Sequence, residues 1–390
     1  MEFKVIKGGK DPDGKGYTYA GGCVTDTRLM GVLGLHLHWK TGSEEGPGDL
    51  HQFIYYDIEE IGIDNIKVSW LDDEAAAVLA EKAAFGGLGA KMVPVSEKEA
   101  RYLVCSFAEG TKKKGQPLPE NADSLAFILA DPPRMDEKEL KSLSEKMCVE
   151  IKTDFGAVNY YLMRVFGKDS EGAGLLKKDG APEDAFDDVS LPSHATFLRN
   201  SIVEFTDESG RKSYLAETLA ESRNSYHICV SELWIEDRKV VSVKKRSQMA
   251  ISPSEASLLL STEEYVSVFE IETDMDYFDM LFAAYSVGTT KTDHDTGEMY
   301  MEFQPDNRHA EKPLFRLSDH VFAIYYSTDF GQLILGAYSP GDIMRAEAKL
   351  SGFFDKELRC TGRYHFAQSV IYEFALSGFD DFDAFISSIE

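Results

Sequence analysis

Apolar runs in this chain stop well short of the ~18 residues that a membrane-spanning helix needs. The opening stretch Met1 to Lys7 lacks the apolar core of a secretory leader. Both absences point to a cytoplasmic protein. Cysteine is scarce: the five residues stand at 23, 105, 148, 229 and 360, an odd number with no C-x-x-C pair. That excludes a disulfide framework and a zinc knuckle, and leaves buried thiols in a reducing compartment.

Positive charge is also in short supply. Lys and Arg number 41 against 67 Asp and Glu, for a net charge of −26. Such a chain repels phosphate backbones and anionic lipid headgroups, so neither nucleic acid nor a membrane surface is an expected partner. Familiar catalytic signatures are missing as well. There is no G-x-S-x-G elbow, and Asp154-Phe155-Gly156 has no glycine-rich loop or strand lysine to accompany it. Asp295-Thr296-Gly297 lies in a polar stretch that reads as a hairpin turn, and Asp11 to Gly16 reads as a turn, with Lys15 where a calcium ligand would stand.

What remains is a folding composition, 43% apolar and 12% aromatic. At 390 residues the chain exceeds the ~250–300 at which single cores stop growing, so two domains are expected. Val32 to Lys40 alternates as a strand, and a Gly/Pro-rich turn to residue 48 leads to a hairpin mate at 50–58. Asn65 to Trp70 reads as a third strand, and Asp72 and Asp73 open a helix that Gly86 and Gly87 stop. Ser96 with Glu99, Asp136 with Glu139, and Ser252-Pro253 with Glu255 are capping signatures, and Ser339-Pro340 has the same form. The spacing predicts buried faces at Ala100, Leu103, Val104 and Phe107, and at Phe382, Phe385, Ile386 and Ile389. Ser124 to Ala130 and residues 148–152 read as short strands, followed by a helix over about 155–166.

Residues 169–192, rich in Gly, Pro and charge, read as a linker or long surface loop. The expected organisation is therefore an N-terminal domain over 1–168 and a C-terminal domain over 193–390. The fold class is α+β: two mixed or antiparallel sheet domains with helices packed on the sheets. An offset of 120 pairs Pro133 with Pro253, Leu140 with Leu260, and Glu150–Asp154 with Glu270–Asp274. It raises the expectation of duplicated β-α-β-α units, with a third copy running from Tyr338 through Tyr372-Glu373-Phe374.

Charge is unevenly spread. Residues 247–306 hold 13 acids against the single cation Lys291, directly after the basic run Arg238 to Arg246. Cross-strand pairing of the two is the expected use.

One constellation carries chemistry. On a strand, His36 and His38 project from one face while Leu35, Leu37 and Trp39 take the other. If Lys40 faces Asp49 across the hairpin, His51 lies opposite His38. Three imidazoles then make a candidate zinc or iron site, and with it a metal-dependent hydrolase. The leading expectation is different: an acidic protein acting by self-assembly or by binding a protein partner with a basic surface. Nothing in the sequence decides whether it is an enzyme.

Overall fold

Alternation along Val32–Lys40 builds the first sheet. The computed structural model describes residues 16–41, 48–208, 210–304, 308–354 and 356–389. The segment Met1 to Lys7, the turn from Asp11 to Lys15 and the hairpin tip Ser43 to Pro47 lie outside them. Among the described residues the chain forms eleven α-helices and three antiparallel sheets, an α+β fold with helices on the sheets. It divides into two compact units: 1–85 with 90–250 and 310–314, and 86–89 with 251–309 and 315–390. The division falls after residue 250, so segment 169–192 lies inside the first unit and does not separate domains. No helix among the described residues is long and apolar enough to cross a membrane.

The first unit opens with β1 (Thr18–Thr25), β2 (Val32–Lys40), β3 (Asp49–Asp57) and β4 (Gly62–Leu71), followed by α1 (Glu74–Phe85), β5 (Met92–Pro94) and α2 (Glu97–Lys113). The strand order is β4-β3-β2-β1-β5. One face of this sheet, with Leu33, Leu35, Leu37, Trp39 and Ile54, packs on the predicted α2 stripe of Ala100, Leu103, Val104 and Phe107. Each such fully buried large side chain is worth roughly 1.5–3 kcal/mol. Ser96 forms the expected capping box with Glu99.

Next come α3 (Ala126–Leu129), α4 (Glu137–Lys146), α5 (Asp154–Phe166) and α6 (Ser170–Leu176). Two expected strands are absent here. Ser124 to Ala130 is helical, with Leu125 and Ile128 buried one turn apart. A short apolar run fits strand and buried helix equally by period. Gln52 ties the start of this segment to the sheet, its amide donating to the Ser124 carbonyl at 2.8 Å. Segment 148–152 makes one isolated bridge, Cys148 to Thr27. Beyond it the Lys152 and Thr153 amides donate to the Glu311 carboxylate at 3.1 and 2.7 Å instead of to a neighbouring strand.

β6 (Thr196–Thr206), β7 (Lys212–Ser222), β8 (Ser225–Glu236) and β9 (Lys239–Ile251) follow in chain order as an antiparallel meander. The expected linker is ordered against it. The Lys178 amide bonds the Val240 carbonyl at 2.9 Å and the Asp187 amide bonds that of Val243 at 3.0 Å, so 177–187 straps the outer edge of β9. The basic strand finds an acid within its own sheet: Arg246 pairs with Glu232 of β8.

The second unit contains α7 (Pro253–Leu260), β10 (Glu264–Ile271), α8 (Met275–Tyr285), β11 (Thr290–His294) and β12 (Gly297–Phe303). After β13 (Leu314–Arg316) come β14 (Val321–Thr328), β15 (Gln332–Ala337), α9 (Pro340–Phe353), β16 (Leu358–Phe366), α10 (Ile371–Ser377) and α11 (Phe382–Ile389). The six-stranded order is β11-β12-β14-β15-β10-β16. Helices cover both faces: α8 and α9 pack on Tyr325, Leu333 and Leu335, while α10 and α11 pack on Val266, Ile324 and Ile334. Asp295 and Thr296 make the expected hairpin turn, with His294 paired to Gly297.

The offset of 120 does not extend beyond helix starts. Its first block is two helices joined by coil, whereas the second places β10 between α7 and α8. Tyr372 to Phe374, expected as a strand, lies in α10. The matched Thr-Asp pairs cap their helices at different positions, Thr153 capping α5 and Asp274 capping α8.

Candidate functional site

The hairpin register places His38 opposite His51, as the alternation predicts. Leu35, Leu37 and Trp39 are wholly buried on the other face, which fixes the imidazoles to the side covered by α1. His36 Nε2 and His51 Nδ1 lie 2.9 Å apart, and the His38 and His51 rings stack with centroids at 4.3 Å. Phe53 stacks on His36 at 4.5 Å. Two carboxylates complete the cluster: Glu81 of α1 meets His36 Nδ1 at 2.7 Å, and Asp49 meets His38 Nε2 at 2.8 Å.

Burial, then the neighbouring His38 and His36, pushes His51 down to about 4, against a small opposing effect from Asp49. His51 is therefore neutral near pH 7. Glu81, His36 and His51 form a chain of two hydrogen bonds. In the tautomer in which neutral His36 donates from Nδ1 to Glu81, its Nε2 accepts from His51 Nδ1–H.

The three histidines singled out in the sequence do come together. The His38 and His51 rings lie face over face, 15° from parallel, whereas His36 meets His51 edge to edge through Nε2 and Nδ1. Two of the imidazoles also engage carboxylates. Among the described residues no group of three His, Cys, Asp or Glu side chains is placed to hold a metal ion.

A second cluster in the same unit gave no signal in the sequence. Arg28 and Arg164, 5% and 1% exposed, converge on Asp169. Arg28 grips that carboxylate with both terminal nitrogens, and Arg164 Nη2 reaches Glu59 at 2.7 Å. Burial alone would raise the Asp169 carboxyl, but Arg28 outweighs it and holds the group below the usual range. His194 extends the network to Glu59 at 2.5 Å, and that hydrogen bond raises its pKa. Glycine is required at position 31, where φ is +92° and a Cβ would meet both Glu59 and Arg164. The network ties the Arg28 turn, the β3–β4 turn, α5 and α6 together.

The third feature lies in the second unit. Ile371, Phe374 and Ala375 of α10 face the core. Its other side presents Tyr372 and Leu376, 58% and 63% exposed, continued by Phe379 and by Ile389 of α11. Glu373, Asp380 and Asp383 stand exposed among them. The first turn of α10 is held by Glu264, whose Oε2 accepts from the Val370 and Ile371 amides at 2.5 and 3.0 Å. Among the described residues Glu264 Oε1 has no hydrogen-bond partner, and burial raises this carboxyl despite the two amides.

Set beside known families, curated proteins and solved structures, the chain matches none of them.

Proposed function

We propose that the protein acts by binding a protein partner that presents a basic surface with apolar anchors, and that α10 and α11 form the docking face. The observation that carries this is the exposed pair Tyr372 and Leu376 at i and i+4 on α10, with Phe379 just past its Gly378 cap and Glu373, Asp380 and Asp383 exposed around them. Apolar side chains supply affinity once water is excluded. The acids select the sign of the partner and raise its rate of encounter. The net charge of −26 favours the same partner at long range. Glu264 supports the face by satisfying the first amides of α10.

A fluorescently labelled amphipathic helix of leucine and lysine is the probe. Its anisotropy should rise on adding the protein, and Leu376→Asp should weaken binding about tenfold or more, the scale of losing an interface anchor. Salt at about 0.5 M should also weaken it by screening the acids. Equal binding by the wild type and a Leu376→Asp/Phe379→Ser variant would sink the proposal. Both side chains are exposed, so an unchanged melting curve shows that the variant is folded.

A further inference from the structure

The strap along β9 is pinned at its ends. The Lys178 amide bonds Val240 and the Asp187 amide bonds Val243, so residues 178 to 187 run beside no more of the strand than residues 240 to 243. The surplus chain bows away from the sheet. Gly180, at φ +79°, allows the turn outward. The Ala181 and Ala185 amides close tight turns on the Lys178 and Pro182 carbonyls, each at 3.1 Å. Lys177 rests on the Phe186 ring at 4.1 Å and draws the two ends of the bow together.

Between the bow and the sheet lies a groove of about 460 Å³. That volume falls in the range of roughly 300–1,000 Å³ that small-molecule sites occupy. Ala181, Pro182, Ala185 and Val241 give it apolar walls, and Ser242 adds a hydroxyl. Lys178, Asp179, Arg211 and Glu236 supply the charge.

These charges are not equally engaged. Lys178 meets Glu236 at 2.6 Å, and Asp179 reaches Lys141 at 3.5 Å. Arg211 makes no ion pair among the described residues; its exposed guanidinium lies over the Trp234 ring at 5.5 Å. Stacking on an indole leaves the in-plane N–H groups of a guanidinium available to an oxygen anion. A ligand amine, by contrast, meets acids that already hold lysines. A doubly charged phosphate is disfavoured by Glu236, by Asp179 and by the field of a chain of net charge −26. A single carboxylate is the anion that suits one free arginine in such a field.

We propose that this groove binds a small monocarboxylate with an apolar body. Arg211 holds the carboxylate, and Ala181, Pro182, Ala185 and Val241 take the body out of water. The site belongs to the first unit and does not depend on the α10 docking face.

The probes are 4-phenylbutyrate and its uncharged amide, each titrated to about 10 mM against the full chain and followed by ligand-observed NMR. The acid should bind with a dissociation constant of about 1 mM or below, and the amide at least about tenfold more weakly. Arg211→Gln should bring the acid down to the affinity of the amide and leave the amide unchanged, because only the charged contact is lost. Arg211 is exposed, so an unchanged melting curve shows that this variant is folded. Leu376→Asp should bind the acid as the wild type does, which separates this site from the α10 face. Absence of acid binding at about 10 mM would overturn the proposal, as would equal binding of acid and amide. Full affinity for the acid in folded Arg211→Gln would overturn it too.

Discussion

The two units bury charge in opposite ways. In the first, Arg28, Arg164 and Asp169 are removed from water together, and the carboxylate remains ionised because two guanidinium groups surround it. In the second, Glu264 is buried with no ion-pair partner among the described residues. It accepts two amides of α10 on one oxygen and leaves the other unpaired, so burial drives its pKa upward. One arrangement clamps elements by ion pairing, and the other ends a helix with a carboxyl that is drawn toward its neutral form. The lesson is that burial does not by itself set the state of an acid; the partner at its second oxygen does.

The largest expected effect comes from breaking the paired side of this comparison. Asp169→Ala leaves two buried guanidinium groups facing each other, and should cost about 3–5 kcal/mol in urea unfolding. A loss below about 1 kcal/mol would show that water replaces the carboxylate there. The unpaired side is more forgiving. Glu264→Ala should cost about 1–3 kcal/mol by stranding the Val370 and Ile371 amides, while Glu264→Gln, which still accepts from them, should be nearly neutral.

The same pair of acids should respond to pH with opposite signs. Asp169, with its pKa lowered in the fold, contributes stability that is present above the ordinary aspartate value and is lost as pH falls below it. Glu264, with its pKa raised, contributes stability present below the ordinary glutamate value and lost as pH rises toward the folded one. Melting temperatures of wild type and Glu264→Gln should therefore diverge, in favour of Gln, as pH increases through that window. Parallel curves would refute the raised carboxyl.

The smallest effect concerns His51. Its folded value of about 4 lies below the ordinary 6.5, so folding must expel a proton between those limits and stability should rise with pH across them. His51→Phe should flatten that part of the profile. An unchanged slope would move the acid sensitivity elsewhere.

Much of the local structure was legible in the residues. Ser96, Asp136, Ser252 and Ser339 each begin the helix that their capping pattern announces, because a cap is satisfied within four residues of itself. The histidine hairpin was legible for a related reason. Alternation assigns the faces, a single register then pairs His38 with His51, and Asp49 lay next to that register. Glu81 was not legible, because it reaches His36 from 45 positions away on α1.

The expectations that failed share a cause. Ser124 to Ala130 became helical where Gln52 holds its start, and residues 148–152 gave up strand pairing to Glu311. By itself the sequence determined the fold class, most helix starts, the strand alternation and the acidic field of the molecule, since each depends on neighbours a few residues apart. Tertiary structure alone decided where the units divide, which buried acid is ionised, and which apolar faces remain uncovered. Those outcomes depend on partners that arrive from distant parts of the chain, and neither local period nor composition encodes the distance at which they arrive.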